Sequence, residues 1–511
     1  MVRDGGDPRV DSCMTRLFSL SFGIDAAELP PQTGLSHPIE RARPDVLILG
    51  AGATGLGAGL GVALAGSGQK VVIIERNSRP GGLAGSFTWK NHSIDFGPHR
   101  LSPNLRTIRA LAEELLGPDL LVQKSQHGVQ FKGRLYQFPP RVRDFLHPAP
   151  IWYSAAFAAS FAAAKLNWIV RRFDADTFES TIVRKFGRRF YRTIAAPMAE
   201  KVWIDPSQID PMFANQRFAQ VRPAAVIKKL IFPRQELNPA SFYYPRRGYQ
   251  QLWDAIAELV VREGNEIWCD ARPTSIQVEG SRVVSITLKT REGETTVDTR
   301  NVTVLSTIPL TPLLAMIKGA DFSAAREIIG RVKYRSMLLA MFEFDQSDTL
   351  PFRTLIFPES NLRFNRLFEQ NKYSRETVAA GRSVVVADVT VPHGDPANSA
   401  PSEEILAEIE ADLRKLNYVP VDRIVDRNLM RVEYAYAVPD IESRRATARV
   451  LHDLKRISNL HFLGRFSVGE YDNADYAIDN GLTFGAMLGG RISRLEYICS
   501  IQERRDRSIV G

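Results

Sequence analysis

Asp45–Glu75 reads DVLILGAGATGLGAGLGVALAGSGQKVVIIE, and this stretch decides the fold. Asp45–Leu49 carries a short apolar run of the kind that forms a strand buried on both faces. Gly50-Ala51-Gly52-Ala53-Thr54-Gly55 follows at once, then a small-residue helix over Leu56–Ala65. Lys70–Glu75 is a second apolar strand that ends in an acid. Strand, glycine turn, helix, strand and acid fall within one unit of ~30 residues, which specifies a dinucleotide-binding βαβ motif. Gly50 permits the tight turn, Gly52 lets the backbone approach a pyrophosphate, and Gly55 lets helix and strand pack closely. The helix N-terminus, from Ala53, offers unpaired N–H groups and a positive dipole end to the phosphates. Glu75 stands where a carboxylate accepts the hydroxyls of an adenosine ribose, with Arg76 directly after it. Gly57, Gly59 and Gly61 read as tight helix packing rather than chemistry.

A glutamate at this strand end suits NAD or FAD. The next segment separates them. Arg79-Pro80-Gly81-Gly82-Leu83 supplies a second close backbone approach, which a longer cofactor needs. No second GxGxxG occurs, so a separate nicotinamide domain is not expected. The reading is FAD, held non-covalently.

Length implies two or three domains, since 511 residues exceed one core of ~100–200. The fold class is α/β: a discontinuous Rossmann-like FAD-binding domain, with a β-meander and an inserted mixed α+β substrate domain. Cofactor-domain segments are placed at 44–100, 245–310 and 456–497. Substrate or cap segments are placed at 101–244 and 311–455. Residues 1–43 read as a flexible extension and 498–511 as a tail. Leu105–Leu116 is an amphipathic helix, Gly133-Arg134 a hairpin turn, and 101–240 mostly helical. Gly248–Glu263 is a helix, Glu266–Asp270 a strand, and 274–304 a meander around Glu279-Gly280 and Glu292-Gly293. Val302–Thr307 and His461–Gly464 are strands, and Asn480–Tyr497 is a closing helix.

The formal charge is +9, yet the cations are scattered without interleaved aromatics, which argues against nucleic-acid binding. Cys13, Cys269 and Cys499 form no CxxC, and the histidines form no HExxH, so neither a disulfide framework nor a metal site is implied. No signal peptide is legible, and a cytoplasmic location is expected. Ile151–Val170 has about the length of a membrane span, but Lys165 and Asn167 oppose crossing. It reads as a buried or interfacial helix. Arg171 and Arg172 after it leave membrane-surface association open. No specific protein partner is predicted.

Further islands extend the pattern. Phe96-Gly97-Pro98-His99 is one. Phe186-Gly187, then Lys201-Val202-Trp203 and Pro206, form another. Asn365-Arg366-Leu367-Phe368-Glu369 is a third. Gly464-Arg465 with Tyr471-Asp472-Asn473-Ala474-Asp475 closes the series. Together with the glycine block they resemble the FAD-dependent amine oxidase and protoporphyrinogen oxidase superfamily. Within it, the similarity is to the branch containing UDP-galactopyranose mutase. The resemblance implies that Gly97 and His99 lie against the flavin. It implies that Arg366 and Tyr471 hold substrate phosphates, Trp203 lines the pocket, and Gly464, Arg465, Asn473, Ala474 and Asp475 contact the cofactor. Arg217 and Arg222 loosely match an arginine pair of the same branch. Met198 and Ile204 depart from it, standing where a tyrosine and a glycine are expected. Val432–Pro439 keeps only Tyr434 and Tyr436 of a tyrosine cluster.

Two chemistries fit. One is a mutase-type rearrangement of a phosphate-activated sugar through flavin N5. The other is hydride transfer from an apolar or amine substrate to flavin. A flavin-bound scaffold without turnover is a third class, against which the retention of His99 and Arg366 speaks.

Overall fold

The computed structural model describes residues 43–102, 105–138, 151–171, 177–213 and 241–500. Arg217, Arg222, nearly all of the N-terminal extension and most of the tail lie outside them. β1 (Val46–Leu49), β2 (Val71–Ile74), β3 (Glu266–Trp268), β4 (Thr303–Ser306) and β5 (Leu460–Phe462) form one parallel sheet, in the order β5-β4-β1-β2-β3. Every residue of β1 and β2 is buried, as unbroken aliphatic runs require when both faces are covered, one by helices and the other largely by the β-meander. The strands come from distant parts of the chain, yet all run the same way, so their carboxyl ends line up along one edge.

α1 (Ala53–Leu64) crosses from β1 to β2 and is buried along almost its whole length. α2 (Gln250–Arg262) and α3 (Ala474–Leu488) cover the same layer. α1 and α3 meet through glycines. A Cβ on Gly57 or Gly61 would lie 2.4 Å from Ile478 O or 2.3 Å from Leu482 O. A Cβ on Gly481 or Gly485 would lie 2.2 Å from Thr54 O or Ala58 O. The packing role read for these α1 glycines is met, and Gly59 likewise leaves room for Ile73. The closing helix begins six residues earlier than Asn480. Its glycines weaken local helix propensity, but they are where the two backbones touch.

The meander is present as Arg272–Glu279, Arg282–Lys289 and Glu294–Asp298. A seven-stranded sheet forms the second layer, with Tyr334–Phe344, buried throughout, flanked by Ser383–Pro392 and Ile424–Ala437. The helical expectation for 101–240 is corrected here: His127–Phe131 and Arg134–Phe138 form the far edge of this sheet, and Leu120–Lys124 pairs with Ser241–Pro245 in a separate two-stranded sheet. The hairpin turn expected at Gly133-Arg134 is there one residue earlier, on Lys132 at φ +51° and Gly133 at +69°, the left-handed pair that a two-residue turn needs. Ile151–Arg171 is one helix of 21 residues, and no helix among the described residues is long and apolar enough to cross a membrane.

Candidate active site

The glycine turn opens at the carboxyl edge of the parallel sheet. Gly50 takes φ +105°, and a Cβ there would strike Thr307 Oγ1 at 2.5 Å. Gly55 presses on Gly50 O, where a Cβ would stand at 1.8 Å. Gly52 is different: no atom lies within 4 Å of where its Cβ would be. The space in front of it is open, as a backbone that meets a pyrophosphate requires. Gly82, at φ +55°, comes up beside it, and Gly81 N–H donates to Ala51 O at 2.8 Å. Gly464, at φ +87°, closes the turn against Thr54.

Glu75 is 5% exposed. Its carboxylate accepts from Ala51 N–H at 3.0 Å and Asn77 N–H at 2.9 Å, so it braces the glycine turn. Burial pushes this carboxyl up, against those two hydrogen bonds and the Arg76 charge. Arg76 and Asn473 are exposed, while Ala53 and Asp475 are buried and Leu83 and Ala474 half-buried.

The second part of the site gathers around Gly97. A Cβ on it would lie 3.8 Å from Arg366 Nη2 and 3.9 Å from His99 Nε2, so backbone, guanidinium and imidazole converge. His99 is pushed down to about 3 by burial, then by the Arg366 and Arg465 charges, with a backbone hydrogen bond at Leu83 acting the other way. Its ring is therefore neutral at pH 7. His99 Nδ1 is buried without a hydrogen-bond partner and stands 3.9 Å from Asp95. Asp95 accepts from Ser86 Oγ at 2.6 Å and Tyr244 Oη at 2.8 Å, and burial raises its carboxyl to about 7.

Arg366 does not pair with Glu369. Successive strand residues face opposite sides, so positions three apart point away from each other. Its partner is Asp388, directly opposite in the antiparallel register and 1% exposed. Arg366 Nε remains buried and unpaired. Glu369 instead accepts from Leu350 N–H at 2.7 Å.

An aromatic wall faces this cluster. Trp203 meets Phe213 at 5.0 Å, Tyr436 at 4.9 Å and Tyr471 at 6.1 Å between ring centroids. Arg465 lies 4.8 Å from the Tyr471 ring and 5.7 Å from the Tyr436 ring, and pairs with Asp472. The Met198 segment belongs to the helix Ala196–Val202, whose Lys201 Nζ donates to Phe357 O and Glu359 O at 3.1 and 2.8 Å. The helix α3 carries buried Asp475 in its first turn, which offsets the positive end of its dipole.

Four contributors escaped the sequence. Asp388 and Phe213 carry no local motif. Arg100 and His127 lie 3.2 Å apart, and their neighbourhood arises only when His127 pairs alongside Thr354. His127 is pushed down to about 3 by burial and then by Arg100, Arg353 and Arg366.

A glycine-lined dinucleotide cradle at one edge of a parallel sheet, opening onto a cationic and aromatic pocket, defines a flavin-dependent enzyme. The model of the flavin-containing amine oxidoreductase family matches residues 58–472, and the chain belongs to that family. FAD is its cofactor. The fold is shared with reduced UDP-galactopyranose mutase, at a TM-score of 0.75 and 22% identity, covering 91% of this chain and 98% of that one. It is also shared with a putative protoporphyrinogen oxidase from Exiguobacterium sp. 255-15 (TM-score 0.64, 17% identity, 88% and 100% covered). Putrescine oxidase with bound putrescine is similar as well (TM-score 0.56, 16% identity, 88% and 98% covered).

Proposed function

We propose that this flavoenzyme rearranges a phosphate-activated sugar, in the manner of a UDP-galactopyranose mutase. The observation that carries the reading is Arg366: a half-buried guanidinium with one edge neutralised by Asp388 and its buried Nε left without a partner, beside a neutral imidazole. Such a group binds an anion by charge-assisted hydrogen bonds. Gly50, Gly52, Gly55, Gly82 and Glu75 would hold the dinucleotide, and Gly97 and His99 would flank its ring. The bound cofactor would supply N5, a nucleophile when reduced and a hydride acceptor when oxidised. Arg366 and Tyr471 would orient the diphosphate leaving group and keep it within reach for return. Trp203, Tyr436 and Phe213 would exclude water from the sugar. His99, uncharged, would donate or accept a hydrogen bond without adding a second positive charge.

One feature favours the oxidase alternative. The Tyr436 and Tyr471 rings already accept the Arg465 guanidinium, and an amine substrate could take its place. The two readings separate in one experiment. Reduced protein is incubated anaerobically with UDP-galactose and other nucleotide sugars, and ring forms are resolved by chromatography. Interconversion of pyranose and furanose with no net redox change supports the proposal. No interconversion, with stoichiometric bleaching of the oxidised flavin by putrescine or another amine, overturns it for the oxidase.

A further inference from the structure

We propose that Arg100, held in place by His127, forms a second anion subsite at the mouth of the pocket. It takes the outer phosphate of a diphosphate-linked substrate, while Arg366 takes the inner one. The subsite rests on the mutase-type reading of the same pocket. His127 and Arg366 share one face of the seven-stranded sheet. Arg366 and Phe368 stand two apart on one strand and so point the same way. Phe368 is opposite Thr354, and Thr354 is opposite His127. Leu355 and Leu367, the residues between, pack into a separate core on the other face. The register sets the Cα atoms of Arg366 and His127 roughly 12 Å apart, two strand spacings across and two residues along. Arg100 approaches from the loop that holds Gly97 and His99, and its Nη1 lies 3.2 Å from His127 Nε2. The Tyr373 hydroxyl, 2.7 Å from Thr354 Oγ1, is pushed up by burial, while the Thr354 hydrogen bond and the Arg353, Arg366 and Arg100 charges pull it back. Three guanidinium charges therefore converge on this wall.

Most of the arginines here are already spoken for. Asp388 pairs with Arg366 and Asp472 with Arg465. Arg353 donates to Lys372 O, Lys124 O and Gln123 Oε1. Arg100 differs. Its charge is felt at Asp475, yet among the described residues it forms no ion pair. Its contact is to an imidazole that burial, with the Arg100, Arg353 and Arg366 charges, keeps neutral. A guanidinium only donates, so His127 Nε2 accepts and the ring proton sits on Nδ1. A neutral acceptor orients the guanidinium without cancelling its charge, which a carboxylate in the same place would do. Arg100 is exposed and His127 half-buried, so the positive charge stands where the pocket meets solvent. A planar fork with donors to spare matches two oxygens of a phosphate. With Arg366 deeper in the same wall, the pocket offers two separate guanidinium groups to an anion of two linked phosphates.

The test is titration of the oxidised, flavin-loaded protein with inorganic pyrophosphate and with orthophosphate, read by flavin absorbance and by calorimetry. The parent should bind pyrophosphate at least about tenfold more tightly than orthophosphate. Arg100→Ala should remove that preference, with orthophosphate binding kept within about twofold because Arg366 remains. His127→Gln, a neutral acceptor, should retain the preference. His127→Glu, of the same length but charged, should lose it. Arg100 is exposed, so Arg100→Ala keeps the flavin and the melting temperature of the parent. A parent that binds neither anion overturns the subsite together with the reading of an anionic substrate. Equal binding of the two anions by the parent, or a preference that Arg100→Ala leaves intact, overturns the subsite alone. Loss of flavin from Arg100→Ala overturns it in favour of a cofactor contact.

Discussion

Asp388 is nearly fully buried, and Arg366 supplies its ionic partner. Removing one member of a buried pair strands the other, at a cost of about 3–5 kcal/mol. Arg366→Ala should therefore lose stability as well as turnover, and activity alone would not separate the two. Adding Asp388→Asn removes the stranded charge. We expect the double variant to recover most of the melting temperature and its flavin, while turnover stays at least ~100-fold down. Wild-type turnover in the double variant would make Arg366 a structural residue. The arginine was legible in the sequence as a candidate anion ligand, but its partner was not. The two residues are 22 positions apart and meet only through strand register, which no local pattern encodes.

At the scale of elements, residues 45–100 were readable because their constraints are local. A turn that needs positive φ shows its glycines, and a strand buried on both faces shows its aliphatic run. Of the strands in 120–138 the sequence showed only the hairpin turn, within a stretch read as mostly helical, since short apolar runs do not distinguish the two states. The mating of α1 with α3 was half readable: the α1 glycines announced a close neighbour without saying which. Two substitutions test this layer. Gly61→Ala gains helix propensity, yet its Cβ would sit 2.3 Å from Leu482 O, so the protein should lose about 1–3 kcal/mol. Gly52→Ala meets open space and should melt like the parent without cofactor, while flavin absorbance after purification falls sharply. A Gly61→Ala protein that melts higher than the parent would show that α1 and α3 are not in backbone contact.

For the whole molecule, the parallel sheet is assembled from residues 46 to 462, with its last strand and covering helix from the final tenth or so of the chain. A chain ending at Lys455 would lack β5 and α3. It would leave the edge of β4 unpaired and the glycine face of α1 bare. We expect it to be expressed as aggregate with no bound flavin, recovered neither by added FAD nor by slow refolding. A soluble yellow protein of that length would place the cofactor core elsewhere.

The late arrival of Gly464 and α3 has a consequence for synthesis. A ribosome that has finished Glu75 needs roughly 20–80 s, at ~5–20 residues per second, before it delivers Leu488. During that interval the phosphate turn is complete in sequence but has no wall to hold it. Flavin therefore enters after the chain has been made through to its closing helix, and a protein interrupted upstream stays colourless.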